Sequence, residues 1–134
     1  MTEEYKEVIQ RAFLAMEHAY APYSNYHVGA CIKTKDGAFI PGVNIENASF
    51  GLTNCADRSA VFAAYSLGYR KDDIEVIAIV SDGDRLAAPC GACRQVLVEL
   101  LNQDTPILLS NGLEEKTTTI AELLPMSFTS EDVL

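Results

Sequence analysis

Apolar residues that recur every three or four positions predict the helices of this chain. Such a stripe in residues 3–20 predicts an amphipathic helix. A second helix is expected to follow Asn54, a good N-cap residue, and to run to about residue 67. A third is predicted from Cys90 to about Leu101, and the segment I-A-E-L-L-P predicts a short fourth helix.

Between these helices, continuous or alternating apolar residues predict β-strands. Residues 74–81 are almost wholly apolar, which is typical of a strand buried on both faces in the middle of a sheet. Residues 27–33 and 38–43 are two earlier predicted strands, which the turn T-K-D-G joins into a hairpin. A further strand is predicted at residues 106–110, and residues 116–119 are predicted to form an edge strand. Together the elements predict an α/β fold, a three-layer α-β-α sandwich with a mixed sheet of about five strands.

Length and charge narrow the class of protein. The 134 residues suit one domain, spanning 1–134. Nearly half of them are apolar and the formal net charge is -9, which favours a soluble protein and argues against nucleic acid as a partner. The N-terminal segment M-T-E-E-Y-K-E lacks the features of a signal peptide, and no apolar run is long enough for a membrane span. We therefore expect a cytoplasmic protein that does not bind membranes.

Three of the four cysteines are placed to hold a metal ion. In a reducing compartment, the C-x-x-C spacing of Cys90 and Cys93 favours metal binding over disulfides. Both residues open a predicted helix, whose N-terminus stabilises thiolates, and Cys55 opens another. If the two helix starts meet, three thiolates surround one zinc ion and leave its fourth position to water, as in a catalytic site.

Two charged residues close to Cys55 extend this hypothesis. Asp57 would move a proton between the metal-activated water and a substrate, as general base and then general acid. Arg58 shares a helix face with Cys55, so its guanidinium would hydrogen-bond a ligand sulfur and offset the negative charge. Each residue also has a simpler interpretation. With Asn54 as N-cap, Asp57 takes the N3 position of a capping box, and Arg58 is a solvated surface charge.

Several other residues are weaker candidates for the site, and most have a simpler interpretation. Arg94, beside Cys93, is a second candidate for contact with a sulfur, although a surface charge is the favoured interpretation. A dithiol redox site is an alternative for the C-x-x-C pair alone. Cys31 lies within an apolar strand and is expected to be a small buried hydrophobe. His27 is a secondary candidate for a fourth metal ligand.

Four segments of the chain together match a known enzyme family. They are A-P-Y-S-N-Y-H-V-G-A, G-V-N-I-E-N-A-S-F-G-L-T-N-C-A-D-R-S-A, A-P-C-G-A-C-R-Q-V and E-L-L-P-M-S-F. Through them the sequence closely resembles the small, homotetrameric, zinc-dependent cytidine deaminases of pyrimidine salvage, over nearly its whole length. The resemblance implies one Zn²⁺ per subunit, held by Cys55, Cys90 and Cys93. It also implies a nucleoside substrate and a homotetramer with shared active sites.

The resemblance further implies which residues contact the substrate. Asn44 and Glu46 would hydrogen-bond the ribose hydroxyls, and the backbone of Ala56 would contact the pyrimidine edge. Tyr26, where the family usually has Phe, would border the nucleoside. Outside the resemblance, the simpler interpretation is that Asn44 and Glu46 order a loop and that Tyr26 belongs to the core.

Three more residues would act across a subunit boundary according to the same resemblance. Phe128 would stack on the base in a neighbouring subunit's site, and its alternative role is to anchor the C-terminal tail. Ala48 and Phe50 would reach toward the sugar. Phe50 stands where relatives commonly carry Tyr, so a hydroxyl contact near the sugar is lost.

Asp57 is the main departure from the family pattern, which is C-A-E-R where this chain has C-A-D-R. The missing methylene draws the carboxylate back by about 1.5 Å. A catalytic group misplaced by ~1 Å loses on the order of 10²-fold in rate. We therefore expect the fold to tolerate the change better than the chemistry does.

Three functional hypotheses follow. The first is hydrolytic deamination of cytidine and 2'-deoxycytidine, slowed by Asp57: activated water attacks C4, and Asp57 carries the proton to N3 and then to the departing amine. The second is hydrolysis of cytidines with bulkier N4 or C4 substituents, for which the shorter acid leaves room. The third is a catalytically impaired zinc protein that binds nucleosides.

Overall fold

The computed structural model describes residues 3–133 as four helices around one mixed sheet. The helices are α1 (Glu3–Met16), α2 (Ala56–Ser66), α3 (Gly91–Leu100) and α4 (Ile120–Leu123). The strands are β1 (Val28–Thr34), β2 (Phe39–Val43), β3 (Ile74–Ser81), β4 (Ile107–Ser110) and β5 (Glu115–Thr118). Their order is β2-β1-β3-β4-β5, and only β3 and β4 pair in parallel. Among residues 3–133, no helix has the length and apolar character needed to cross a bilayer.

The middle strand β3 explains the three layers. Ile77 and Ile79 pack into the core beneath α2 and α3, whereas Val76, Ala78 and Val80 pack beneath α1. Because successive side chains of a strand point to opposite faces, a continuous apolar run is what a strand covered on both sides requires. The predicted α-β-α sandwich, its five strands and the central place of residues 74–81 are confirmed.

Helix α1 is shorter than its apolar stripe predicts. It ends at Met16 and not at residue 20. The backbone of Tyr20 is instead held by the segment after β2: its N–H donates to the carbonyl of Asn44 at 2.9 Å, and its carbonyl accepts from Glu46 N at 2.9 Å. This long-range pairing keeps residue 20 extended, and it brings the loop after α1 next to the loop after β2.

Helix α2 begins one residue later than Asn54 predicts. Its N-cap is Cys55, because Asn54 exchanges two backbone hydrogen bonds with Ile45, of 2.9 and 3.0 Å, and so stays in an extended bridge. The Asn54 side chain donates to Ser59 Oγ at 3.0 Å. Asp57 is consequently the second helical residue and not N3, so the predicted capping box does not form.

Gly42 sets how closely α2 approaches the sheet. A Cβ at this position of β2 would lie 2.4 Å from the backbone nitrogen of Ala60 and 2.5 Å from the carbonyl oxygen of Ala56. Only a glycine permits this contact between strand and helix backbones. The close packing fixes the start of α2, where the first cysteine of the candidate metal site lies.

Candidate metal centre and active site

Three sulfurs converge where α2 and α3 begin. The Sγ atoms of Cys55, Cys90 and Cys93 lie within 4.8 Å of one another. Cys55 Sγ is 3.9 Å from Cys90 Sγ, and Cys90 Sγ is 3.3 Å from Cys93 Sγ. Four ligands placed tetrahedrally about 2.3 Å from a zinc ion are about 3.8 Å apart. The spacing of the sulfurs therefore fits one zinc ion.

Both helices contribute their N-termini to this cluster. Cys55 is the N-cap of α2 and Cys90 is the N-cap of α3, so the positive ends of the two helix dipoles point toward the sulfurs. The backbone N–H of Cys93 donates to Cys90 Sγ at 3.4 Å. The C-x-x-C spacing thus places both α3 sulfurs on one side of the first helical turn, as predicted from the sequence.

The electrostatics of the cluster also suit a cation. Hydrogen bonding from Cys93, helped by Arg58, lowers the pKa of the Cys55 thiol. The Cys55 sulfur in turn raises the pKa of the Cys93 thiol, which burial raises further. Ionisation of Cys55 thus opposes ionisation of Cys93, and a divalent cation beside both sulfurs would remove this conflict.

Arg58 supplies a fixed positive charge beside the cluster. Its Nη2 donates to Cys55 Sγ at 3.4 Å, which is the contact that the i, i+3 spacing predicts. The hydrogen bond to Cys55 raises the pKa of Arg58. Arg58 thereby offsets part of the negative charge that three thiolates would leave on a bound divalent ion.

Asp57 has a buried carboxylate, one oxygen of which lacks a hydrogen-bond partner among residues 3–133. The residue is 3% exposed and lines the cavity next to the sulfurs. Its Oδ2 atom is buried and has no hydrogen-bond partner among residues 3–133. Burial raises the pKa of Asp57, Cys55 raises it further, and contact with Cys93 opposes the shift. Because an unsatisfied buried oxygen is costly, this atom is suited to bind something in the cavity.

The cavity beside the cysteines has a volume of about 240 Å³. Three of the residues predicted to contact substrate line it, namely Tyr26, Asn44 and Ala56. The rest of its wall was not predicted from the sequence, because only the fold brings these residues together: Val28, Thr53, Asn54, Ile79, Ala87, Ala88 and Pro89.

Asn44 also orders the wall of this cavity. Its Nδ2 donates to the carbonyl of Tyr26 at 2.8 Å, and its Oδ1 accepts from the backbone N–H of Val28 at 2.9 Å. The side chain is buried and thus ties the end of β2 to the start of β1. The second N–H of the amide is left for another partner.

Glu46 and Phe50 line a second cavity of about 330 Å³. This cavity adjoins the first one, since Thr53 lines both. Glu46 Oε1 accepts from the backbone N–H groups of Tyr23 and Ser24, at 3.0 and 3.1 Å, and its Oε2 accepts from the Ser24 hydroxyl. Glu46 therefore orders the loop after α1 as well as facing the second cavity.

Two predicted substrate residues lie outside both cavities in this chain. Ala48 is exposed on the loop before α2. Phe128 is 59% exposed in the C-terminal segment, and its carbonyl accepts from Gln95 Nε2 at 2.9 Å. Neither residue is brought to the sulfurs by the fold of a single chain.

Three further candidates are placed away from the sulfurs. His27 is not part of the metal cluster found among residues 3–133, so its secondary interpretation as a fourth ligand is not supported; its Nδ1 lies 2.7 Å from Asp82 Oδ2. Arg94 donates to two backbone carbonyls and not to a cysteine. Cys31 is 1% exposed beneath α1, which confirms its expected place in the core, and burial raises the pKa of its thiol to about 11.

Together the fold and the site define an α/β protein with three thiols at two helix N-termini and a buried carboxylate beside them. Comparison with known proteins agrees with this class. The model of the cytidine and deoxycytidylate deaminase zinc-binding region matches residues 2–108. The chain belongs to this family of zinc-binding deaminases, and Cys55, Cys90 and Cys93 form a cluster that could hold one metal ion.

Individual relatives match nearly the whole chain. The cytidine deaminase of Halalkalibacterium halodurans is 52% identical over 127 residues, which cover 94% of this chain and 95% of the relative. The cytidine deaminase of Sporosarcina psychrophila is 43% identical over 131 residues, with 96% and 93% covered. The crystal structure of cytidine deaminase from Burkholderia pseudomallei superposes with a TM-score of 0.89 at 44% identity, covering 96% of this chain and 100% of that one.

Proposed function

We propose that this chain is a zinc-dependent cytidine deaminase that hydrolyses cytidine and 2'-deoxycytidine to uridine and 2'-deoxyuridine. The observation that carries the proposal is that three convergent thiols and Asp57, whose Oδ2 has no hydrogen-bond partner among residues 3–133, line one cavity. The family and its relatives named cytidine deaminase support the same reaction. Neither the hypothesis of bulkier substrates nor that of a binding protein is favoured by these relatives.

The cysteines and Arg58 prepare the metal site. Cys55, Cys90 and Cys93 would hold zinc, which when bound makes water a nucleophile at neutral pH. Three thiolates leave room for a fourth ligand, as catalysis requires. The Arg58 guanidinium, bonded to Cys55 Sγ, withdraws charge from the thiolate and so counters the excess of negative charge at the site.

Asp57 is the proton carrier in this proposal. Asp57 lines the cavity and its Oδ2 has no hydrogen-bond partner among residues 3–133, so we assign this carboxylate to accept a proton from the attacking water. The protonated side chain donates this proton to N3 of the pyrimidine. Asp57 then takes the remaining proton from the hydroxyl added at C4 and passes it to the departing amine, which leaves as ammonia while the C4 carbonyl forms. Burial raises the pKa of Asp57, which favours the protonated form that both donations require.

The two adjoining cavities accommodate the two parts of a nucleoside. In our proposal the pyrimidine lies in the first cavity, against Tyr26 and the backbone of Ala56, and Asn44 reaches the ribose. Glu46 binds the sugar from the second cavity, which Phe50 also lines. Ala48, Phe50 and Phe128 are assigned to the site of a neighbouring subunit. Ala48 and Phe128 lie outside both cavities, whereas Phe50 also lines the second cavity of its own chain.

The charge of the cavities favours a nucleoside over a nucleotide. The described residues that line them include the acids Asp57 and Glu46 and no lysine or arginine. Recognition of a 5'-phosphate depends on cationic donors. We therefore propose free cytidine, and not its monophosphate, as the substrate.

Assembly, location and pathway complete the proposal. Phe50, Leu52 and Phe128 are 75%, 72% and 59% exposed, and apolar surface of this kind supports a homotetramer in which neighbouring subunits complete each site. The four cysteines are free thiols, which suits the reducing cytoplasm. Conversion of free cytidine to uridine fits pyrimidine salvage, and we assign residues 1–134 to one deaminase domain.

Lengthening the acidic side chain at position 57 by one methylene tests this proposal. Asp57→Glu is expected to raise kcat for cytidine by about 10²-fold. The longer side chain moves the carboxylate back toward the substrate, and a misplacement of ~1 Å costs a catalytic group about this factor in rate. Steady-state turnover of cytidine and of N4-methylcytidine should be measured for both proteins at equal zinc content. Asp104→Glu, which lengthens an exposed carboxylate between α3 and β4, is the matched control.

The outcomes separate the three hypotheses. Equal cytidine turnover by the unsubstituted protein and Asp57→Glu would refute the claim that the shorter acid slows the reaction. A preference for N4-methylcytidine that disappears in Asp57→Glu would support the bulkier substrates. Absence of turnover in both zinc-replete proteins would leave the nucleoside-binding protein.

A further inference from the structure

Arg94 connects two parts of the chain that are distant in sequence. It follows Cys93 on α3, but its guanidinium donates to backbone carbonyls and not to a sulfur. Nε donates to the carbonyl of Pro89 at 2.7 Å, and Nη1 donates to the carbonyl of Leu123 at 2.7 Å. These two bonds leave from different edges of one planar group, which a lysine ammonium cannot reproduce.

The first carbonyl lies next to a metal ligand. Pro89 is buried and its carbonyl belongs to the peptide bond that leads into Cys90. The residues just before Cys90 have no regular secondary structure, so no strand or helix ladder holds them. The backbone N–H of Arg94 also donates to the carbonyl of Cys90 at 2.9 Å. Arg94 thus fixes the peptide groups on both sides of this cysteine.

The second carbonyl belongs to the C-terminal segment. Leu123 ends α4, a helix of only four residues, and the last carbonyls of a helix lack partners within it. Gln95, the next residue of α3, donates from Nε2 to the carbonyl of Phe128 at 2.9 Å. Two consecutive side chains after Cys93 therefore dock residues 123 and 128 onto the helix that carries two of the three sulfurs.

We propose that Arg94 is a positioning residue that holds the Cys90 end of the metal site and joins it to the C-terminal segment. The inference rests on the zinc site of the proposed function. Loss of the guanidinium would free the peptide before Cys90, so this sulfur would leave the metal more often. It would also remove one of the two side-chain hydrogen bonds that the described residues make between α3 and residues 123–128, and so loosen this segment.

The test compares Arg94→Ala with Arg70→Ala in the zinc-loaded full chain. Arg70 is a matched control, because its guanidinium also donates to two backbone carbonyls at the C-terminal end of α2, far from the sulfurs: those of Tyr65 at 3.1 Å and of Tyr69, just after the helix, at 2.7 Å. Zinc release to a colorimetric chelator should be about 10-fold faster in Arg94→Ala, within the range seen when partners of metal ligands are removed. Arg70→Ala should release zinc at the unsubstituted rate.

Hydrogen exchange supplies a readout that does not involve the metal. Amides of residues 124–133 should exchange faster in Arg94→Ala than in the unsubstituted protein. In Arg70→Ala their exchange rates should be unchanged. Arg94→Lys, which keeps the charge but reaches one carbonyl at most, provides a second variant if Arg94→Ala does not fold; its zinc release should be faster than that of the unsubstituted protein.

Three results would overturn the proposal. They are zinc release from Arg94→Ala at the unsubstituted rate, equal acceleration in Arg94→Ala and Arg70→Ala, and an unsubstituted rate in Arg94→Lys. Failure of the proposed function is distinguishable, since in that case the unsubstituted protein would not retain zinc or would not deaminate cytidine.

Discussion

The Cys55→Ala variant should contain almost no zinc, while the unsubstituted protein contains about one zinc ion per chain. The substitution removes one of the three sulfurs that lie within 4.8 Å of one another and also the acceptor of the Arg58 hydrogen bond. Loss of a residue that merely supports a ligand costs ~10–100-fold in affinity, so loss of a ligand should cost at least about 100-fold. Elemental analysis after dialysis measures the zinc content, and cytidine turnover should fall with it.

Cys31→Ala is the control for this prediction. Cys31 is the fourth free thiol, but it lies in the core beneath α1, away from the three clustered sulfurs. Its replacement should leave the zinc content at about one per chain and cost only stability. Full zinc retention by Cys55→Ala, or equal zinc loss in the two variants, would contradict the metal site assigned to the helix N-termini.

Asp57→Asn should retain zinc and lose most of its deaminase activity. The amide has nearly the same shape as the carboxylate, but it cannot accept and return a proton. General acid–base catalysis contributes ~10²–10⁴-fold, so kcat should fall by that factor, equivalent to about 3–5 kcal/mol of barrier. The check is kcat for cytidine at saturating substrate, with zinc content measured on the same sample.

Asp104→Asn tests whether loss of a negative charge alone has this effect. Asp104 is exposed in the connection between α3 and β4, and its neutralisation should leave kcat within about twofold of the unsubstituted value. A value of kcat for Asp57→Asn that stays within a similar margin would exclude Asp57 as the proton carrier. The carboxylate would then be only a buried acid at the start of α2.

Most of the fold follows from patterns that are local in sequence. The apolar run of residues 74–81 required cover on both faces, and the structure places β3 between two core layers. The element ends depended on distant partners instead. Tyr20 leaves the helical stripe because its backbone pairs with the segment after β2, and no property of residues 3–20 shows that pairing.

The same distinction applies to the start of α2. Asn54 is a good N-cap by residue type, but its bridge to Ile45 keeps it extended and moves the cap to Cys55. The shift matters for the site, because the first sulfur then lies at the helix end itself. It also takes Asp57 out of the capping-box position that had been its alternative role.

The site could be predicted where its residues share one helix. The C-x-x-C pair and the i, i+3 spacing of Cys55 and Arg58 are short-range patterns, and their contacts follow from helix geometry. The roles of Arg94 and His27 could not be predicted, because each is set by a partner from a distant segment, Leu123 and Asp82 respectively. The wall of the cavity beside the cysteines could not be predicted from local patterns either, because its residues come from distant segments of the chain.

The zinc dependence of cytidine hydrolysis by this protein tests the proposed function most directly. Uridine and ammonia should be measured after incubation of the zinc-replete protein with cytidine, then after removal of zinc by a chelator, and again after zinc is restored. We predict equal amounts of the two products, their loss with the metal and their recovery with it. No uridine from the zinc-replete protein, or a rate that does not change when zinc is removed, would contradict the assignment.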